Sequence, residues 1–275
     1  MLKHIKQGLT AAWHQPFLLV TLFIYRFAWG FAIYRLIVSQ VIPLLHRYPG
    51  EGGPVDQSQL FLIESEIRLT KTNVLEEYLW LLLILLVIRM LITPLLNAGV
   101  FYSLANTHLN SGYRFFKGMK SLGGAFYLFY AVRTLLTLLP LYFLAPQLKR
   151  LFGDLPTTID HRNLLLLYVA IFLVYSYLLY LLFLHIQFGR TFGSGLLPTL
   201  LRSIKGMLPI IGVAVLLLAL SGLASGIMLT TVLLDAGLWT FILYQAYGFV
   251  GTLFALWGIT SQHEVFEEAV DGYKC

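Results

Sequence analysis

Charge is scarce in this chain. Asp, Glu, Lys and Arg make up 12% of its 275 residues, against roughly a quarter in soluble domains. A soluble fold would have to bury several fully apolar helices in one modest domain, and that class is set aside. Cysteine is nearly absent, with Cys275 alone at the last position. One thiol excludes a disulfide framework and a cysteine zinc site within the chain. Nor is it a prenylation box, which needs three residues after the cysteine. Catalytic signatures are missing too. There is no Walker lysine loop and no dinucleotide fingerprint after a strand. His263-Glu264 opens a zincin-like pair, but Glu267 stands where the second histidine belongs. Ser225 falls one residue off a nucleophile elbow, and the last two apolar runs hold no histidine to activate it. His185 stands alone and reads as a packed or interfacial residue. No catalytic residue, metal or cofactor is expected, and the chain is not expected to be an enzyme.

Apolar residues fill the space left by charge. They reach 58% and come in blocks of twenty or more, which is the membrane pattern. The sequence predicts an all-α, polytopic bundle of six spans. They run from about Pro16 to Ile42, Tyr78 to Leu104, Gly124 to Leu144, Leu164 to Phe188, Leu208 to Leu234 and Leu238 to Ile259. Each is long enough to cross about 30 Å of hydrocarbon at about 1.5 Å per residue. Lys3 and Lys6 before an apolar run resemble a signal peptide. Arg26 interrupts that run and no small-x-small cleavage site follows, so it is expected to remain as the first span. The whole chain, 1–275, reads as one integral membrane domain.

The charges that do occur are sorted by side. The loop after span two carries Arg114, Lys117 and Lys120 and no acid; the loop after span four carries Arg190, Arg202 and Lys205 and no acid. The opposite loops mix signs: Arg47, Arg68 and Lys71 with Glu51, Asp56, Glu64, Glu66, Glu76 and Glu77, then Lys149, Arg150 and Arg162 with Asp154 and Asp160. Short basic loops mark the cytoplasm, which places both termini there. The net charge of +6 therefore points to anionic lipid headgroups and not to nucleic acid.

The basic loops also repeat. Lys117-Gly118-Met119 matches Lys205-Gly206-Met207, and Gly124 matches Gly212 at the same offset. With Leu2–Trp13 they suggest three units, each an interfacial amphipathic helix followed by a transmembrane hairpin. Arg114, Lys117, Lys120, Arg202 and Lys205 would meet headgroups, with Phe115, Phe116 and Met119 toward the acyl boundary.

Between the spans, residues 46–77 form the longest outer loop. Pro49, Gly50, Gly52, Gly53 and Pro54 break regular structure, and Leu60, Ile63 and Ile67 then recur at helical spacing. A short surface helix and a plain connector both fit. The tail 261–275 is the one acidic cytoplasmic segment, with Glu264, Glu267, Glu268 and Asp271. It is expected to prolong span six, either docking a basic partner or ending in solvent.

Small residues mark packing faces. Tyr244, Gly248, Gly251, Ala255 and Gly258 share one stripe of span six, and Ala219, Gly222, Gly226 and Thr230 share one of span five. Close backbone approach through such stripes predicts a tight contact between the two spans or with a second copy. Pro94, Pro140 and Pro209 each remove a backbone donor, and Pro94 with Asn97 marks the place for a bend.

Four arginines, Arg26, Arg35, Arg89 and Arg133, lie inside spans, and spans one to four hold no acid to pair with them. A mid-span arginine costs about 2.5–3.5 kcal/mol. Arg35 is near an end and can reach headgroups. Arg26, Arg89 and Arg133 lie deeper. Facing one cavity, they would suit an anionic ligand, since the guanidinium fork matches phosphate or carboxylate. Taken singly, each could be satisfied by carbonyls or by the many tyrosines.

The pattern Pro94…Gly99…Gly112…Phe116-Lys117-Gly118, followed by a span, resembles bacterial multi-span membrane families of uncharacterised function, including relatives of the membrane domain beside some glycerophosphodiester phosphodiesterases. The soluble phosphodiesterase domain is absent, so no catalytic residue transfers. The resemblance implies a bacterial cell-membrane protein. The resulting expectation is an accessory or scaffold subunit that binds lipid or a membrane partner, or itself as a homo-oligomer. The alternative is a transporter or lipid-handling protein that uses the arginines.

Overall fold

The computed structural model describes residues 1–45, 74–153, 159–234 and 238–271. Among them there are eight helices and no strand. They are α1 (Leu2–Trp13), α2 (Pro16–Leu45), α3 (Val74–Ala105), α4 (Ser111–Gly153), α5 (Ile159–Thr191), α6 (Leu196–Lys205), α7 (Met207–Leu234) and α8 (Leu238–Asp271). Five segments are long and apolar enough to cross a membrane: Pro16–Leu36, Leu79–Ala105, Ser111–Tyr142, Leu166–Thr191 and Met207–Thr231. These are the helices of a multi-pass membrane protein. The stretch around Leu60, where a short surface helix is one expectation, and the short connection between spans five and six at 235–237 lie outside the described residues.

Local chemistry sets the helix boundaries. Pro16 opens α2, where its missing N–H costs nothing. Asn110 caps α4 by accepting from the Gly112 N–H at 3.2 Å. Gly193, with φ of 73°, turns the chain after α5 in the left-handed conformation a side chain resists. Gly206 closes α6 by donating its N–H to the Arg202 carbonyl at 2.8 Å. Pro209 is the third residue of α7, still within the turn that has no acceptor for it.

One boundary differs from expectation. Residues 114–122 do not form a separate surface helix. They are the first turns of the 43-residue α4, about 65 Å long. No proline falls between Ser111 and Leu139, and the helix runs through Gly123-Gly124, where α3 lies against Gly123: a Cβ there would stand 3.1 Å from Leu95 Cδ2. The span therefore continues outward into the basic stretch without a break.

The chain divides into two compact units. One is Met1–Val20 with Pro94–Cys275, and the other is Thr21–Thr93. The boundary in α3 falls at Pro94, inside a helix that stays continuous.

In the first unit, the described buried residues cluster at the span ends next to the basic loops. Phe188 is the hub. Its ring lies 4.6 Å from Phe101, 5.7 Å from Phe266 and 5.3 Å from the His263 ring, centroid to centroid. Beside it Ile5, Leu181, Ile210, Val213, Leu217 and Val265 form an aliphatic cluster. Toward the other ends, leucines such as Leu135, Leu166 and Leu223 are exposed. In water such a surface would aggregate; against lipid tails it has no cost.

In the second unit, Thr93 Oγ1 donates to the Arg89 carbonyl at 2.7 Å and so accepts from the Tyr25 hydroxyl at 2.9 Å. This cross-helix bond ties α2 to α3.

Candidate functional site

Helix α6 wears its amphipathicity inside out. Thr199 and Ser203, four residues apart, are its buried positions. Each hydroxyl is satisfied locally: Thr199 donates to the Gly195 carbonyl at 2.9 Å and Ser203 to the Thr199 carbonyl at 2.8 Å. Thr199 sits so close to Gly189 of α5 that a Cβ there would meet its Oγ1 at 2.2 Å. The outward face carries Leu197 and Leu201, 71% and 52% exposed, and Ile204, 51% exposed; Leu208, at 80%, continues the stripe into α7. A soluble protein would place these the other way round. Arg202 and Lys205 lie in the last turn, where cations suit the helix C-terminus.

Helix α1 docks along α8. Trp257 Nε1 donates to the Ile5 carbonyl and Thr260 Oγ1 to the Gly8 carbonyl, both at 2.7 Å. His4 Nε2 lies 2.7 Å from the Glu268 carboxylate. The acidic tail therefore prolongs the last helix as expected. Its described part, to Asp271, runs beside the chain's own basic N-terminal helix, with Glu267 and Glu268 still exposed. Thr260, Ser261 and Gln262 are buried, and Gln262 Nε2 donates to the Ile210 carbonyl at 2.9 Å.

Cavities open at this end of the unit. One, about 190 Å³, is largely apolar and is lined by His4, His185, Arg202, Ser203, Ile210, Phe266 and Glu268 among others. His185 is 2% exposed. It donates Nδ1–H to the Leu181 carbonyl at 3.0 Å, and its Nε2 has no hydrogen-bond partner. Another, about 450 Å³, is polar and is lined by His14, Gln15, Thr107, Leu109, Asn110, Ser111 and Arg114.

The basic residues separate. Lys117, Lys120 and Lys205 are exposed, and Lys117 stands 5.5 Å from the Tyr113 ring. Arg114 was expected at the membrane surface, yet it is 5% exposed. Its guanidinium donates to the Thr107 carbonyl at 3.0 Å and to the Gln15 side-chain oxygen. Phe115, expected at the acyl boundary, is buried against Phe17 and Gly99, whereas Phe116 is exposed.

Two of the deep arginines stand over aromatic rings. Arg89 lies 5.4 Å from the Trp29 ring, and Arg133 lies 5.8 Å from Tyr130 and 5.5 Å from Tyr180. Arg26 and Arg89 belong to the smaller unit and Arg133 to the larger.

Helices α7 and α8 pack against each other as expected, with the Ser225 and Tyr247 hydroxyls in contact, but the described glycines of the two stripes are not the points of close approach. No described atom lies within 4 Å of a Cβ built on Gly222, Gly226, Gly251 or Gly258, and Gly248 is exposed. Close approach occurs at glycines outside the stripes. A Cβ on Gly8 would meet Ser261 Cα at 2.6 Å, one on Gly99 the Phe115 ring at 2.6 Å, and one on Gly118 Tyr102 Cβ at 2.4 Å. Gly99 and Gly118 belong to the short pattern noted in the sequence, whereas Gly8 is an isolated glycine facing a residue far away in the chain, which spacing does not mark.

Reactive groupings are sparse among the described residues. His263, Glu264 and Glu267 place three donor atoms within 4.8 Å of one another. All three come from one helix, so a tetrahedral ion would need a further ligand from elsewhere. The Ser225 hydroxyl donates to the Ser221 carbonyl at 2.8 Å and also contacts the Tyr247 hydroxyl. Comparison with protein families, characterised proteins and solved structures finds no match to this chain.

Proposed function

We propose that this chain is a non-enzymatic, six-span protein of a bacterial cell membrane with both termini in the cytoplasm. It works as an accessory or scaffold subunit that engages anionic lipid and a membrane partner. The observation that carries this reading is the inverted face of α6. Its leucines point away from the protein while its cations sit at the adjoining helix end, the arrangement of a helix lying at a lipid headgroup boundary. The sixth span is α8, whose 34 residues reach about 51 Å, enough for a crossing and the buried extension beyond it.

The transporter reading has less support, because Arg89 and Arg133 already face aromatic rings. Native mass spectrometry after mild extraction separates the two. The accessory reading predicts bound anionic lipid or a stoichiometric protein partner, retained when Arg26, Arg89 and Arg133 are all changed to Gln. An anionic adduct lost in that folded triple variant would favour transport.

A further inference from the structure

We infer that the polar recess at the start of α4 is a binding site for a phosphate group, held by Arg114. The argument begins with an uncompensated charge. Arg114 is 5% exposed, and among the described residues no carboxylate lies within ion-pair distance of it. Its protein acceptors are neutral, the Thr107 carbonyl and the Gln15 side-chain oxygen. Its Nε–H is buried with no acceptor. A buried cation that has hydrogen bonds but no counter-charge is costly, and an anion removes that cost.

The walls of the recess favour an anion as well. Ser111 opens α4 and Asn110 caps it, so the positive end of a 43-residue helix borders the cavity. Gln15 stands just before Pro16, and its carbonyl accepts from the Leu19 N–H at 3.1 Å, so a second helix N-terminus starts at the same place. His14 adds a further nitrogen to the lining. No lining residue is acidic. The volume, about 450 Å³, exceeds what one phosphate needs and leaves room for a small substituent. Guanidinium geometry and helix N-termini both suit tetrahedral oxyanions.

Two sources could supply the group: a phospholipid headgroup or a free phosphate. The proposal rests on the membrane reading only for the first. The test uses full-length protein, delipidated in an uncharged, phosphate-free detergent. It is titrated separately with inorganic phosphate and with dihexanoyl phosphatidylglycerol, and thermal unfolding is followed. Arg114→Gln also removes the tie to Gln15 and Thr107 and could unfold the loop. Ser111→Asp is therefore the deciding variant. An acid in the first turn suits the helix N-terminus, yet it places a negative charge at the site.

The inference predicts that at least one ligand stabilises the wild type, and that Ser111→Asp weakens this binding roughly tenfold or more without lowering the unliganded melting temperature. Whichever ligand binds more tightly identifies the source. No stabilisation by either ligand, or equal stabilisation of wild type and Ser111→Asp, would overturn the site. A chain with no phosphate site but with α6 in lipid would lose this inference and keep the reading of its function.

Discussion

Trp257 and Ile5, 252 residues apart, are joined by a hydrogen bond of 2.7 Å from the indole N–H to a backbone carbonyl inside α1. Thr260 repeats the connection one turn along, to the Gly8 carbonyl. Both acceptors are carbonyls within a helix, so α8 must come close enough to reach the α1 backbone. Gly8 permits that approach.

Gly8→Leu is therefore expected to destabilise the protein by about 1–3 kcal/mol, since a side chain there would collide with the backbone of Ser261. Thermal unfolding in detergent, read by tryptophan emission, measures it. An unchanged midpoint would mean that α1 is not docked on α8.

Gly226→Leu is expected to stay within about 0.5 kcal/mol of wild type in the same assay. A Cβ there meets no described atom within 4 Å, and replacing a helical glycine removes a conformational cost. The contrast with Gly8 explains what the sequence could convey. Regular spacing of Gly222 and Gly226 tells that a helix has a smooth face, and it says nothing about what meets that face. Span starts at Pro16 and around Leu208 were legible because proline, glycine and apolar runs act locally. The burial of Thr260, Ser261 and Gln262 was not legible. Three polar residues after an apolar run look like an exit from the membrane; only the hydrogen bonds of Thr260 and Gln262 to α1 and α7, and the packing of Ser261 against Gly8, reveal them as interior.

Acid is expected to loosen this same region. His263 packs against the Phe188 and Phe192 rings at 5.3 and 5.1 Å. Burial pushes its pKa down from 6.5 to about 4, with the Glu264 charge pulling the other way. The folded state thus holds the neutral ring while the unfolded chain takes up a proton near pH 6.5. Its contribution is complete above that pH and is lost as pH falls toward about 4, on the order of 3 kcal/mol in total. The melting temperature of wild type should fall across this window more steeply than that of His263→Phe. Parallel curves would remove His263 from the account.

Topology follows from the loop charges. With Cys275 replaced by Ser, a cysteine at Ser111 is expected to react with an impermeant maleimide only from the cytoplasmic side. Labelling of intact cells from outside would invert the orientation.

The reading of α6 as a helix lying at the lipid boundary with its leucines outward is the central claim, and depth-resolved quenching tests it directly. Single cysteines at positions 201 and 205, in the Cys275→Ser protein reconstituted into bilayers, would carry a small fluorophore. The account predicts strong quenching at position 201 by a nitroxide on the upper acyl chain, with little from an aqueous quencher, and a larger aqueous share at position 205, which lies at the margin of the same face. Aqueous quenching at both positions would contradict it and return Leu197, Leu201, Ile204 and Leu208 to a surface facing water or an unidentified protein.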